Sequence, residues 1–284
     1  AGIIDLVMAI KDCSIIKAVL FIKKLYDIKG KFESSDEDEQ MMMSSANNFT
    51  KTNNNNNKTK YDPSILERLS HNDYFIKRGF KKEVLDEFGC GFAESGFLAN
   101  RIVVPIYDEH NDIVGFTGRI IYEKCEKCQR FHNGTPCSNR YTTAKWKNSK
   151  GIKKKEILFN INKAKKYIVE REEVIITEGP LDVIKLWQIG IKNSIAVLGV
   201  KISIQQIRML LSLGRIRKIY LMRDDDAAGN KSVSEHCSYK DNFNFLSRYF
   251  NIDKIQFNEV KENDIAEMID KDAIYFMRKK IGDF

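Results

Sequence analysis

Two apolar runs of this chain end in carboxylates, the side chains best placed to do chemistry. One β-branched run stops at Glu178, with Asp182 four residues later; another stops, after one arginine, at a cluster that contains Asp224 and Asp226. The carboxyl ends of strands form the ligand-binding edge of an open parallel sheet, so we expect the two groups to meet there. Carboxylate oxygens suit Mg²⁺ or Mn²⁺, and such ions neutralise phosphate charge in phosphoryl transfer. Each group alone would also fit a structural role, at a helix start or in a turn.

The elements around these carboxylates alternate between strands and helices from residue 173 onward, which predicts an α/β fold with a doubly wound, mostly parallel sheet. Upstream, we expect a mixed α+β subdomain. The signals downstream of residue 173 are helix starts at Pro180 and Ser203, helix ends at Gly190 and Gly214, strands at Ile195–Leu198 and Lys254–Phe257, and a helix near residues 231–250.

The amino-terminal part has a different pattern. Residues 3–27 carry apolar side chains at helical spacing, whereas residues 29–62 are of low complexity and predict a disordered linker. Short helices are expected near residues 63–69 and 82–88. The runs at 101–107 and 113–121 are joined by a polar connection and predict a β-hairpin.

A compact group of soft ligands interrupts the region after this hairpin. Cys125, Cys128, His132 and Cys137 lie within thirteen residues. Thiolates and an imidazole at this spacing predict a zinc knuckle, although a reduced hairpin with a free histidine is the alternative. Four protein ligands would leave no open position, which favours a structural metal over a catalytic one.

Composition narrows the class of protein. The 284 residues are long enough for two domains, and the net charge of +8 with a pI near 9.0 favours a polyanionic partner. No apolar run reaches the length of a membrane span, and we expect no membrane partner. The sequence begins without a methionine or a signal-peptide pattern, so we expect it to be part of a longer chain. The cysteine pattern does not resemble a disulfide scaffold, so a reducing, cytoplasmic setting is expected.

The acidic motifs resemble a known family. Glu178-Gly179-x-x-Asp182 followed by Asp224-x-Asp226-x-Ala228-Gly229 looks like the TOPRIM module of primases and topoisomerases, and further segments resemble the bacterial DnaG-type primases in particular. Those segments are Gly2–Met8, Tyr74–Gly79, Arg101–Ile106, Gly115–Arg119, Lys145–Ser149 and Lys154–Ala164. The similarity covers most of residues 63–270, and the order of these motifs makes it specific.

The resemblance implies a DNA-dependent RNA polymerase that makes short RNA primers from NTPs on single-stranded DNA, using Mg²⁺ or Mn²⁺ and working with a replicative helicase. The matching acidic positions are Glu178, Asp182, Asp224 and Asp226, with Asp264 a weaker match. The matching basic positions of the template and nucleotide groove are Arg101, Arg119, Lys145 and Lys154. The alternative for each of these cations is a solvated surface residue.

The same resemblance implies the domain boundaries. Residues 1–28 would be the tail of an upstream zinc-binding module and 29–62 the linker. Residues 63–168 would form the amino-terminal core subdomain with the inserted knuckle. Residues 169–270 would form the TOPRIM domain, and 271–284 the start of a carboxy-terminal helical region.

Two departures from the family pattern stand out. Arg223-Asp224-Asp225-Asp226 replaces the usual Phe-Asp-Gly-Asp, and the knuckle has no clear counterpart in the core bacterial family. The inserted cysteines and the Asn-, Lys- and Ile-rich composition favour a phage origin. The alternatives are another TOPRIM enzyme, such as a topoisomerase or an OLD-type nuclease, and a nonenzymatic adaptor that binds single-stranded DNA.

Overall fold

The computed structural model describes residues 3–11, 18, 21–22, 60–134, 137, 142–199, 202–222, 246, 250–257, 260, 262 and 264–284. The chain divides into two compact units, Ala1–Lys58 and Thr59–Phe284. The first unit contains helix α1 (Ile3–Lys11), within the region expected to be helical. Asp224, Asp226, most of the predicted 231–250 helix and most of the predicted linker lie outside the described residues.

The second unit begins with a small antiparallel sheet. Its strands are β1 (Gly91–Ala93), β2 (Arg101–Tyr107), β3 (Ile113–Ile120) and β6 (Trp146–Asn148), in the order β1-β2-β3-β6. Strands β2 and β3 form the predicted hairpin. A separate two-stranded pair, β4 (Phe131–His132) with β5 (Thr142–Thr143), lies in the connection between β3 and β6. Before the sheet come a 3₁₀ helix (Pro63–Arg68) and helices α2 (Tyr74–Lys77) and α3 (Lys82–Glu87).

The remaining elements form the predicted parallel sheet. Strands β7 (Glu173–Thr177), β8 (Ser194–Ala196), β9 (Lys218–Met222) and β10 (Asn251–Ile255) are ordered β10-β9-β7-β8, and the pairs are parallel. The helices are α4 (Ile161–Arg171), α5 (Pro180–Gln188), α6 (Ile204–Ser212) and α7 (Asp270–Ile281), with 3₁₀ turns at Lys154–Glu156 and Ile265–Glu267.

Alternation along β7 explains why helices cover both faces of this sheet. Val174 and Ile176 pack with the apolar faces of α4 and α6, whereas Ile175 packs with α5 and α7 on the other side. Successive strand residues point to opposite faces, and all three are fully buried, as expected of a central parallel strand. The doubly wound α/β prediction is therefore confirmed.

The antiparallel and parallel sheets share one apolar core. Ile102 and Val104 of the hairpin pack in the same cluster as Val183, Ile184 and Trp187 of α5. The second unit is thus continuous across the predicted boundary at residue 168. This packing holds β3 and β6 beside the start of α5, which is what positions the site.

Local signals explain the ends of several helices. The Ser203 hydroxyl accepts the Gln206 N–H at 3.1 Å and starts α6, and Pro180 occupies the first turn of α5.

The structure differs from the prediction at the start of the second unit. The linker was predicted to reach residue 62, but the Tyr61 N–H already donates to the Ile113 carbonyl at 2.9 Å. Strands β1 and β6 were not predicted, because three residues are too few to show a period. No helix in the described part of the chain is long and apolar enough to cross a membrane.

Candidate active site

A cleft of about 250 Å³ lies where the antiparallel sheet meets the amino-terminal end of α5. Acidic side chains line one part of it, and basic side chains come from the other elements. The charged residues that line the cleft are Glu178, Asp182, Asp264, Arg78, Arg119, Lys145 and Lys154. Six of these seven were predicted from sequence, although they come from segments up to 145 residues apart.

The acidic part of the cleft is built at the carboxyl end of β7. Glu178 follows directly after the strand, and Asp182 occupies the first turn of α5, where it is 5% exposed. The Gly179 N–H donates to Asp182 Oδ2 at 3.1 Å, and a side chain at Gly179 would approach that oxygen to 3.2 Å. Glycine therefore lets the backbone pass close to the carboxylate, which has one oxygen engaged by the helix start.

Asp264 enters the cleft from the 3₁₀ turn beside α5. Its Oδ1 accepts the Glu267 N–H at 2.9 Å and so caps that turn. Burial raises the pKa of this carboxyl, and the negative charge of Glu267 adds to the effect, while Arg78 and Lys145 act in the opposite direction. A buried carboxylate with a raised pKa is an environment that a bound cation would stabilise.

Aromatic rings hold Arg119 in place on the basic side. Its guanidinium lies 5.9 Å from the ring centroid of Tyr74 and 5.8 Å from that of Trp146, and its Nε donates to the Tyr74 hydroxyl at 3.2 Å. The residue is 8% exposed and still lines the cleft. Arginine held between rings in this way offers its remaining donors to an anion in a fixed direction.

Lys154 is positioned by its own backbone. Its carbonyl accepts Gln206 Nε2 at 3.1 Å, and the same amide donates to the carbonyls of Ile157 and Val197. The 3₁₀ turn that carries Lys154 is thereby fixed to the start of α6. Lys145, by contrast, lines the cleft and is exposed.

Arg78, Trp146 and Leu198 are among the cleft residues that were not on the predicted site list. Arg78 lies over the Tyr74 ring at 5.9 Å and is 3.9 Å from Glu267 Oε1, and it is followed by Gly79 with φ +86°. The segment Tyr74–Gly79 resembles the primases in sequence, but nothing local to it marks Arg78 as facing a site. Leu198, in the left-handed region at φ +57°, and Trp146 also line the cleft. Such backbone strain is typical of functional loops.

The structure does not bring Arg101 into the cleft. Its side chain is 2% exposed and donates hydrogen bonds inward, to a threonine hydroxyl and three backbone carbonyls. Burial lowers the pKa of this guanidinium. Its predicted contact with template or nucleotide does not fit this position.

The predicted knuckle residues do come together. The ligand atoms of Cys125, Cys128, His132 and Cys137 all lie within 4.8 Å of one another. Ligand atoms of a tetrahedral zinc site with bonds of ~2.3 Å are about 3.8 Å apart, so small shifts would close this group around one ion. Among the described residues, no other group of three or more such ligands is close enough to hold a metal; the acidic site would need Asp224 and Asp226 as well.

Two details of the knuckle fit a soft metal ion. His132 Nε2 lies 3.0 Å from Cys128 Sγ, while its Nδ1 is buried without a hydrogen-bond partner. Hydrogen bonds with the sulfurs of Cys125 and Cys128 raise the pKa of the Cys137 thiol to about 11. Crowded sulfurs that compete for protons are stabilised when a cation replaces the protons.

Known proteins share both the sequence and the fold. Residues 172–245 match the model of the Toprim domain. The chain is 27% identical over 205 residues to a DNA primase of Aquifex aeolicus, covering 61% of this chain and 38% of that protein. It is 34% identical over 169 residues to a DNA primase of Helicobacter pylori, covering 57% of this chain and 27% of that protein. The chain thus spans roughly a quarter to two-fifths of these relatives.

Solved primase structures have the same fold. The zinc-binding and RNA polymerase domains of the Aquifex aeolicus primase align with a TM-score of 0.54 at 22% identity, covering 98% of this chain and 70% of that one. A DnaG primase catalytic domain bound to single-stranded DNA aligns with a TM-score of 0.52 at 19% identity, covering 73% and 70%. The chain is therefore similar in sequence to bacterial DNA primases and in fold to solved primase structures, and its residues 172–245 match the Toprim domain.

Proposed function

We propose that this chain is a primase catalytic core, which synthesises short RNA primers from NTPs on a single-stranded DNA template. The observation that carries the proposal is that Glu178 and Asp182 line the same cleft as Arg119, Lys145 and Lys154. Carboxylates on one side and cations on the other suit a reaction between phosphate groups, because both the incoming triphosphate and the template are polyanions.

The acidic side would hold Mg²⁺ or Mn²⁺. Hard carboxylate oxygens suit these ions, and Glu178, Asp182 and Asp264 would be joined by Asp224 and Asp226, which follow β9 in the sequence. Strands β7 and β9 are parallel neighbours, with Ile176 opposite Leu221, so both lead toward the same edge of the sheet. When bound, the ions would neutralise charge on the triphosphate and orient the reacting phosphate.

The basic side would bind phosphates. Arg119 is fixed between two rings and suits the nucleotide, for which direction matters. Lys145 is exposed and suits the template, for which charge alone is enough. A structural Zn²⁺ in the knuckle and a replicative helicase as partner complete the proposed assembly.

Template-dependent primer synthesis by the purified chain tests this function. The chain is incubated with NTPs and single-stranded DNA, with Mg²⁺ or Mn²⁺, and the products are tested for ribonuclease sensitivity. We expect short RNA products that disappear in Glu178→Gln but persist in Glu173→Gln, a matched change at the opposite end of β7.

The other outcomes identify the alternatives. DNA relaxation or cleavage without RNA synthesis would indicate another Toprim enzyme. Tight DNA binding that is unchanged in Glu178→Gln, with no catalysis under any condition, would indicate a nonenzymatic adaptor. Either result would overturn the primase proposal.

A further inference from the structure

The buried side chain of Arg101 joins two elements that are far apart in sequence. Its Nη1 donates to the carbonyls of Gly118 at 3.0 Å and Lys145 at 3.2 Å. Its Nη2 donates to Thr143 Oγ1 at 2.7 Å and to the Ala144 carbonyl at 2.9 Å. A single guanidinium therefore ties Gly118 of β3 to three consecutive residues, 143–145, in the segment that leads from β5 to β6.

That segment has the knuckle at one end and the cleft at the other. Strand β5 pairs with β4, where His132 lies opposite Thr142, and His132 is one of the four clustered ligands. Two residues beyond Thr143, Lys145 begins the cleft wall, and Trp146 follows it against Arg119.

At its β5 end, this segment has little support from strand pairing alone. Strands β4 and β5 pair through two residues each, and β6 pairs with β3 through three. Strand β6 belongs to the four-stranded sheet, but the β4–β5 pair lies outside it, and an isolated two-stranded pair is at best marginally stable in water. A metal ion that joins ligands before, within and after β4 would hold the β4–β5 pair in place. The free energy of metal binding at such sites also contributes to folding.

We propose that a metal ion in the knuckle sets the affinity of the cleft without touching the substrate, and that Thr143 and Arg101 carry this effect to Lys145 and Trp146. The ion orders the β4–β5 pair, and β5 presents Thr143 to Arg101. Arg101 then fixes the wall of the cleft by donating to the carbonyls of Ala144 and Lys145. Arg101 is thus a positioning residue. The functional part of this inference rests on the proposed primase activity, whereas its structural part does not.

The sharpest test uses two adjacent threonines of β5. Thr143→Val removes the hydroxyl that Arg101 bonds, with little change of shape. Thr142→Val is the matched control, because Thr142 is exposed and makes no such bond. Cys128→Ser removes one ligand. For each protein, zinc content, hydrogen exchange across residues 142–148, and the KM and kcat for NTP and template are measured.

We expect Cys128→Ser to lose zinc and Thr143→Val to keep it, while both lose exchange protection across residues 142–148. In both, KM for template or NTP should rise by about tenfold, the scale of one hydrogen bond to a charged group, with kcat changed much less. Thr142→Val should match the parent chain in all of these measurements.

Three results would overturn the proposal. The first is unchanged protection and KM in the metal-free protein, and the second is equal behaviour of the two threonine variants. The third is a loss of kcat alone, which would assign the effect to the chemical step. If the parent chain makes no primers, the primase function fails, but zinc content and exchange protection still decide whether the knuckle orders this wall.

Discussion

Lys185 and Asp270 form an ion pair whose two halves should contribute very unequally to stability. The Lys185 side chain is completely buried, whereas Asp270 is 28% exposed, and their Nζ and Oδ1 atoms are 3.0 Å apart. Gln188 Nε2 also donates to Asp270 Oδ1 at 2.6 Å, and the Lys81 ammonium lies 3.1 Å from Oδ2. Asp270→Ala therefore leaves a buried cation without its counter-charge, and Lys185→Met leaves an anion that still has partners.

The loss of folding stability in each variant depends on the contacts that the remaining charged side chain keeps. Asp270→Ala should cost about 3–5 kcal/mol, because the buried ammonium loses its carboxylate and keeps uncharged contacts, the Gly79 carbonyl at 3.0 Å and the Phe80 ring. Lys185→Met should cost under about 1.5 kcal/mol, because the Gly79 carbonyl keeps Gln188 at 2.9 Å and the methionine packs toward Phe80. The double variant should be more stable than Asp270→Ala alone, since it removes the stranded charge.

Urea unfolding followed by tryptophan fluorescence measures these differences. The chain has two tryptophans, so a Trp146→Phe background leaves Trp187, which is buried on the same helix as Lys185. Lys192→Met is the control, because this lysine lies over the Trp187 ring and its Nζ bonds the Trp187 carbonyl, away from Asp270. Equal costs for the two single variants, or a double variant less stable than Asp270→Ala, would refute the reasoning.

Further predictions concern the cleft. Asp224→Asn and Asp226→Asn should abolish nucleotide incorporation while far-UV circular dichroism stays unchanged, because each removes a ligand charge and keeps its shape; substantial synthesis by both would exclude the proposed acidic site. Lys145→Ala should weaken single-stranded DNA binding and reduce the slope of log affinity against log salt by roughly 0.7, whereas Lys153→Ala, whose ammonium lies 3.7 Å from Glu156, should leave the slope unchanged. Asp264→Asn should lower activity, yet the variant should unfold no more easily than the parent chain at pH 7. The pKa of Asp264 is raised in the folded chain, so its ionised carboxyl disfavours the fold above that pKa. The stability advantage of the variant should therefore shrink as the pH falls through the folded pKa of Asp264.

Asp270 should affect the stability of the fold at acidic pH in the opposite direction to Asp264. Burial pushes the pKa of this carboxyl upward, but hydrogen bonds from Lys185, Gln188 and Lys81 outweigh it and leave the pKa lowered. Its contribution is therefore present above the unfolded pKa and is lost as pH falls through the folded one. Unfolding between pH 5 and pH 2 should show a smaller acid-dependent loss in Asp270→Asn than in the parent chain; an identical loss would mean that Asp270 does not contribute.

Local sequence was enough to predict the parallel sheet and the two groups of ligands. Residues 174–177 are buried and β-branched, and Glu178 follows them. In a parallel sheet the carboxyl ends of the strands lie at one edge, so the position of Glu178 follows from the topology alone. Cys125, Cys128, His132 and Cys137 are close in sequence, so a short turn is enough to bring them together. Helix starts at Pro180 and Ser203 depend on interactions within one turn.

Only the tertiary structure decided what the cations do. Arg101 and Arg119 lie on neighbouring strands of one hairpin, yet the first is turned into hydrogen bonds with residues 118 and 143–145 and the second lines the cleft. Arg78 reaches the same cleft, and Lys185 finds Asp270 across 85 residues. A charge looks alike in sequence whether it is buried or exposed, because its role depends on contacts that form only when distant elements pack together.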